Sequence, residues 1–386
     1  MKKTMRILHF TTHNEDCGIG KYQEQYLSAL KPLAEVYNEI FPYSPNKTKV
    51  MSKAELVPVL SDLRKAMKSF DALHIQHELS FFKHDELNQV ISLVKALHKK
   101  VIVTVHTAPA AQYQHPQRIG IGPRSLVRYA KAIKAAKEFR SRYVLPLMKA
   151  DLVLVNNTAT KLNLMEHGLN SENITVITIP VPTLRHDTHS SEIKTALSYQ
   201  EGDVIFASIG FLSRMKGVDQ AIKALSYLPK NYKLAVIGGI HPAGGQEALL
   251  DELSDLITHY KLTDRVYITG YVNDDEKLNA LIRECDMCVY PYDTKYYSYV
   301  SSAALNNAFA NYIPAIVYPT KSFIEINQDQ VTVDVTKSAN YYELARSIDT
   351  IAVKDFMAKS SAYAKRYSYE NEAIKLVSIY EKLLLT

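Results

Sequence analysis

Cysteine is scarce: Cys17, Cys285 and Cys288 are the three in 386 residues. An odd count without paired spacing argues against a disulfide framework and suits a reducing compartment. Cys285 and Cys288 form a C-x-x-C with no second pair and no nearby histidine ligands. That spacing reads as a helix end running into a strand, so core packing is expected there rather than zinc. No run of about 18 apolar residues occurs, which excludes a membrane-spanning helix. The opening MKKTMRILHF has no long apolar region and reads as a first strand, not a signal peptide. No repeat of roughly 20–50 residues and no low-complexity tract is found, which excludes a solenoid. No Asp-x-Asp pair falls on a strand end; Asp274-Asp275 opens a helix, where acids favour the dipole, and is expected to cap it. One-sided charge is also lacking. The net charge of +6 permits an anionic ligand or an acidic surface and proves neither. Basic residues concentrate on one helix without base-stacking motifs, which argues against nucleic acid.

What is present is an ordinary globular composition, with 47% hydrophobic and 22% charged residues, in a chain too long for one core. Two domains are the default. Strands are expected at 6–10, 35–41, 72–76, 101–105, 152–156 and 175–179, then at 204–206, 234–237, 266–269, 287–290, 315–317 and near 331–335. Helical patterns separate them in both halves, including 20–30, 55–70, 85–99, 159–167, 246–260, 274–284 and 301–311, with a final helix at 369–384. Each half is therefore expected to be α/β, a doubly wound parallel sheet. Pro180-Val181-Pro182 stops regular structure, and the polar stretch 183–191 is the expected linker.

The stretch VIFASIGFLSRMKG at 204–217 organises the rest. A buried strand ends at Gly210, and Arg214 and Lys216 precede Gly217 and an amphipathic helix. Backbone N–H groups, the helix dipole and two cations suit a phosphate; an ordinary turn with two solvated cations fits the pattern equally well. Two strands of the first half place His77-Glu78 and His106-Thr107 at their C-terminal ends, where parallel sheets bind ligands. His106 at a strand end is either a satisfied polar group or a substrate contact. His77 and Glu78 stand between an acceptor-side role and loop hydrogen bonding, and His241 follows Gly238-Gly239 at another strand end. Gly18-Ile19-Gly20 makes a tight turn or meets a ligand. The loop 108–123 carries His115 and Arg118. The helix 124–142 has an apolar face of Leu126, Tyr129, Ile133 and Ala136, with Arg128, Lys131, Lys134, Lys137 and Arg142 around it. It is either a solvated surface helix or a docking face for anionic lipid or an anionic acceptor.

Taken together these loops resemble the GT-B glycosyltransferases, specifically the retaining family 4 type. The resemblance runs along nearly the whole chain. Gly18-Ile19-Gly20-Lys21-Tyr22 looks like the family's N-terminal glycine loop, and the strand ending in His106 looks like its active-site histidine strand. Ala150-Asp151-Leu152-Val153 with Asn156, Tyr267–Gly270, Leu278–Asp286, Pro314-Ala315-Ile316 and Tyr367-Ser368-Tyr369 match further motifs in order. Gly210–Gly217 resembles its G-x(5)-KG donor loop. The family's Glu-x7-Glu is absent: Tyr299 and Asn307 stand at its two positions. Asn307 still offers a neutral amide to ribose hydroxyls, while Tyr299 lacks the charge of a carboxylate near the transferred sugar. Ser301 and Ser302 offer N–H and O–H groups to a diphosphate, and Arg214 substitutes for the family's loop arginine.

The resemblance implies two Rossmann-like domains facing across a cleft. Residues 1–185 are expected on the acceptor side, 186–366 to bind the nucleotide sugar, and 367–386 to form a helix crossing back to the first domain. It implies a hexosyltransferase-like enzyme of the EC 2.4 class in polysaccharide biosynthesis. The sugar would pass from a UDP- or GDP-type nucleotide-diphosphate sugar to a glycan, lipid-linked, protein or other hydroxyl acceptor, with retention and with no metal or cofactor. His106, Arg214 and Lys216 would be catalytic. The donor would rest on Gly18, Gly20, Gly210, Arg214, Lys216, Tyr299, Ser301, Ser302 and Asn307, and the acceptor on His77, Glu78 and Thr107. The expected place is the cytoplasm, or the periphery of its membrane. A nucleotide-sugar epimerase or a non-catalytic subunit of the same fold are the rivals; a phosphorylase would need a pyridoxal-bearing lysine site that is not found.

Overall fold

A computed structural model describes residues 4–13, 18–43, 53–78, 82, 85–107, 120, 122–184, 187–240, 247–327 and 333–385. The chain forms two compact units. The first takes the chain up to Thr178, Tyr299–Ser301 and the segment from Tyr369 onward; the second takes Ile179–Ser298 and Ser302–Ser368. The division falls upstream of the 185/186 boundary expected from the sequence. Asn306 donates to the carbonyls of Ile179 and Pro180, and the Val181 N–H donates to the Tyr367 carbonyl, so these residues are held by the second unit.

In the first unit strands and helices alternate. They are β1 (Met5–Thr11), α1 (Gly18–Leu30), β2 (Val36–Pro42), α2 (Lys53–Ala66), β3 (Ala72–His77), α3 (Glu86–Ala96) and β4 (Lys100–Val105). Next come α4 (Pro123–Phe139), a π turn at Arg140–Val144, α5 (Leu145–Leu147), β5 (Leu152–Val155), α6 (Thr158–Glu166) and β6 (Ile174–Val176). The six strands are parallel in the order β2-β1-β3-β4-β5-β6. Strands such as Leu152–Val155 are apolar at every position because a parallel sheet is covered on both faces. One face packs Leu8, Phe10, Val103 and Val155 against Val90 and Val94. The other packs Ile7, Ile102 and Leu154 against Tyr26 and Leu30. Each such side chain contributes about 1.5–3 kcal/mol when fully buried.

The second unit runs α7 (Glu192–Ala196), β7 (Val204–Ile209), α8 (Val218–Leu225), β8 (Tyr232–Ile237), α9 (Glu247–His259), β9 (Val266–Ile268) and α10 (Asp275–Ile282). It continues with β10 (Met287–Tyr290), α11 (Ala303–Ala310), β11 (Ala315–Val317), α12 (Lys321–Ile326), β12 (Asp334–Val335), α13 (Tyr341–Thr350) and α14 (Val353–Arg366). Its parallel sheet has the order β12-β11-β10-β7-β8-β9. Cys285 and Cys288 are buried in its core as free thiols. Asp274 caps α10, its side chain accepting from the Lys277 N–H. The last helix, α15 (Tyr369–Leu384), belongs to the first unit and completes the face of Ile7 and Leu154 with Tyr369, Ala373, Leu376, Val377 and Tyr380.

These orders place the reversal of strand order, where the chain turns from winding one way across the sheet to the other, between β1 and β3 in one sheet and between β7 and β10 in the other. Ligands of open α/β sheets gather at the carboxyl ends of the strands at such a switch point.

On α4 only Ser125 and Phe139 are buried; Tyr129, Ile133 and Ala136 are half-buried, and Leu126 and Val127 are 50% and 54% exposed. The helix continues directly into the π turn.

Candidate functional site

In the second unit β7 delivers the chain to Gly210, whose φ of +113° suits glycine. Phe211 then stacks on Tyr271, ring centroids 5.4 Å apart. A 3-10 turn at Arg214–Lys216 leads to Gly217, at φ +70°, and into α8. A Cβ on Gly217 would lie 2.0 Å from the carbonyl oxygen of Pro291, just past β10. Glycine is therefore required both by its dihedral and by the close approach of the two strand ends at the switch point.

A Cβ on Gly210 would lie 2.5 Å from Lys216 Nζ and 3.7 Å from the Ala304 Cβ in the first turn of α11. The Lys216 ammonium thus folds back over Gly210, beside the start of α11. Burial alone moves it, from an ordinary 10.5 down to about 8, and no carboxylate offsets that cost. The N-terminus of α11 adds partial positive charge of its own. Ser302 caps this helix, its Oγ accepting from the Leu305 N–H at 3.2 Å and lying 3.1 Å from the Tyr292 hydroxyl. Asn307 is half-buried on the same helix.

Arg214 lies elsewhere. Its guanidinium pairs with Glu252 of α9 at the surface, which raises its already high pKa. The structure joins Gly210, Lys216 and the start of α11 and leaves Arg214 outside that group.

Tyr299 and Ser301 are held in the first unit. Asn157 Nδ2 donates to the Tyr299 carbonyl at 2.9 Å and to Ser301 Oγ at 2.8 Å, and Thr160 Oγ1 donates to the same carbonyl at 2.8 Å. The Tyr299 ring is buried against Ala159. Asn157 also caps α6 by accepting from the Thr160 N–H. Its role was not read from the sequence, although an Asn just before a helix is a usual cap signal.

At the carboxyl edge of the first sheet, Gly18 opens α1 and Gly20 is buried in it. His77 ends β3; its ring stacks on Phe82 and neither nitrogen has a hydrogen-bond partner among the described residues. Burial drives its pKa down to about 3. Thr107 Oγ1 donates to Glu78 at 2.5 Å. The His106 N–H donates to the His77 carbonyl, and His106 Nε2 lies 2.8 Å from Gln76 Oε1. Tyr22 of α1 meets the His106 ring edge-on at 5.0 Å. Burial lowers His106 to about 4, so the ring is neutral at pH 7. Gln76 was missed in the sequence; its signal was the period-two spacing from His74, which puts both on one face of β3.

His241, His115, Arg118, Cys17 and the first residues of the expected strand at 331–335 lie outside the described residues. Among the described residues no group of three or more His, Cys, Asp or Glu is placed to hold a metal ion, and no helix is long and apolar enough to cross a membrane.

Two parallel six-stranded α/β units with these switch points define the GT-B fold. Solved structures share it over nearly the whole chain. The Anabaena protein HepE, solved in complex with UDP, is 15% identical and covers 98% of this chain and 100% of its own, with a TM-score of 0.69. A glycosyltransferase from Rickettsia africae is 15% identical, covers 99% of each chain and has a TM-score of 0.71. Sucrose-phosphate synthase from Thermosynechococcus elongatus is 16% identical, covers 99% of each and has a TM-score of 0.68. At these identities the likeness is one of fold. A D-inositol 3-phosphate glycosyltransferase of Xylanimonas cellulosilytica is 23% identical over 214 residues, 55% of this chain and 48% of that protein. The chain therefore spans about half the length of this curated relative. Residues 190–371, just under half of the chain, match the family Glycosyl transferases group 1.

Proposed function

We propose that the protein is a glycosyltransferase that moves a sugar from a UDP- or GDP-type nucleotide-diphosphate sugar to a hydroxyl of a glycan, lipid-linked or protein acceptor, with retention and without a metal. One observation carries this reading: Lys216, a desolvated ammonium with no offsetting carboxylate, lies against Gly210 at the switch point beside the N-terminus of α11. A diphosphate complements such a site in charge. Its developing charge on departure would be stabilised by groups already in place. The match of 190–371 to Glycosyl transferases group 1 supports the same reading, as do structures of the same fold solved with UDP and UDP-glucose.

In this reading Gly210 lets the diphosphate approach the backbone, Lys216 neutralises it, and the α11 amides after Ser302 receive it. Asn307 offers its amide to the ribose. Arg214 contributes only by leaving Glu252. His106 presents a neutral ring to a sugar hydroxyl, while Glu78, Thr107 and His77 serve the acceptor, and Gly18 and Gly20 let the substrate near α1. The test is calorimetry and thermal shift with UDP, GDP, ADP and their sugars. Binding stabilises the native state by mass action, so the right nucleotide raises the melting temperature. No response to any of them would end the reading.

The helix α4 supports peripheral docking on an anionic membrane in the cytoplasm. It exposes Leu126 and Val127 together with Arg124, Arg128, Lys131, Lys134 and Lys137. A second reading, a non-catalytic subunit or epimerase of this fold, is favoured by Tyr299 and Asn307 at the positions of the absent carboxylates. Sugar release or transfer assayed with and without an acceptor separates the two.

A further inference from the structure

Four histidines lie on or beside the strands of the first unit, and two of them, His9 and His74, show what a structural histidine looks like here. His9 has both nitrogens engaged, by Asn38 at 2.8 Å and by Gln23 at 3.0 Å. His74 has both engaged, by the Tyr380 hydroxyl and by Thr104, each at 2.7 Å. His77 has neither engaged and lies flat on Phe82. His106 differs from all three. One nitrogen is bonded, the ring is half-buried rather than enclosed, and it stands at the carboxyl edge of the sheet.

The bonded side decides the other. Gln76 Oε1 is only an acceptor, so the Nε2 that faces it at 2.8 Å must carry the proton. A neutral imidazole has one N–H, so Nδ1 then holds a lone pair. Tyr22 packs against the ring edge-to-face at 5.0 Å. Gln76 itself is 3% exposed and lines one small cavity with His74 and Thr104.

We propose that Gln76 is a positioning residue that fixes the tautomer of His106, so that Nδ1 is presented as a hydrogen-bond acceptor to a carbohydrate hydroxyl. The inference rests on the glycosyltransferase reading for the identity of the hydroxyl, but the tautomer itself does not depend on it. A histidine held this way selects a neutral hydroxyl donor and offers nothing to a phosphate.

The decisive measurement is long-range proton–nitrogen NMR on the full chain with nitrogen-15-labelled histidine, the His106 signals being assigned by their loss in His106→Asn. The expected result is a protonated Nε2 and an unprotonated Nδ1 near pH 7. A protonated Nδ1 overturns the proposal. Gln76→Leu should mix the tautomers and lower kcat/KM at least tenfold, while the Kd for UDP alone changes less than twofold. An unchanged tautomer, or equal losses in both quantities, overturns it. Should Gln76→Leu fold poorly, Gln76→Glu keeps the acceptor and adds a charge. It should raise the His106 pKa by more than one unit and shift the acid limb of the rate profile accordingly, and no shift overturns the proposal. The groups facing His106 from neighbouring elements are His74 and His77 of β3, Tyr22 of α1, and Glu78 with Thr107 at the strand ends. Failure of the wild type to bind any nucleotide would instead sink the functional reading and leave the tautomer result standing.

Discussion

Replacing Lys216 by methionine should stabilise the free protein while weakening its hold on a diphosphate. The free protein keeps an ammonium in a site that drives its pKa from 10.5 to about 8. That displacement corresponds to roughly 3 kcal/mol of cost to the charged form, and because the residue is half-buried, screening reduces this to about 1–3 kcal/mol. The sign is the reverse of an ordinary salt bridge. Below about pH 8 both folded and unfolded states hold the proton and the cost is fully present. Between about 8 and 10.5 the unfolded state binds more protons, so stability rises with pH and the cost disappears. Methionine keeps much of the length and apolar bulk of the stem without the charge. The melting temperature of the unbound variant should therefore rise by about 2–8 °C at pH 7. Its Kd for UDP should increase about ten- to hundredfold, because a hydrogen bond to a charged group contributes about 1.5–3 kcal/mol. Uridine, without phosphates, should bind both forms alike. The wild type should also take up a proton on binding UDP near pH 8, seen as a calorimetric enthalpy that depends on the buffer; the variant should not. A variant that melts lower and binds UDP unchanged would refute the assignment.

Arg214→Ala should weaken UDP binding less than threefold, since the guanidinium points to Glu252 of α9 at the surface and not to the group of Gly210, Lys216 and the start of α11; calorimetry beside Lys216→Met checks the ranking. Gly217→Ala should lower the melting temperature by several degrees, because its Cβ would stand 2.0 Å from the Pro291 carbonyl oxygen. Acid should unfold the first unit through its histidines. His9 and His106 are held down to about 4, His77 to about 3, and His74 well below 6.5, so stability present above about pH 6.5 is lost as pH falls toward 4, by up to about 1.4 kcal/mol per pH unit for each, readable by circular dichroism. Lys131, Lys134 and Lys137 changed together to Glu should abolish salt-sensitive binding to acidic vesicles without lowering thermal stability, each cation being worth about 1 kcal/mol near the surface.

The elements most legible in the sequence were those whose apolar runs admit one reading. Strands such as 101–105 and 152–156 are hydrophobic throughout because both faces are covered, and α15 carries a helical stripe that ends in a core. The helices α13 and α14 went unread; Asn340 caps the first by accepting from the Glu343 N–H, and its Leu344, Ala345 and Ile348 pack into the core of the second unit. The stripe on α4 left a solvated helix and a docking face both open, because periodicity records that a face is apolar, not what covers it. The same limit governs the site. Glycine spacing and two cations before a helix pointed to Gly210 and Lys216, and their proximity follows from backbone geometry. Nothing in the sequence said that Arg214 and Lys216, two residues apart in one turn, would part, one toward Glu252 and the other over Gly210. Nor did it pair His106 with Gln76, since the bond crosses between strands separated by a helix. Local chemistry is written in order along the chain, whereas a side chain's partner is set by strand register, and register is where the charge and the proton of this site are decided.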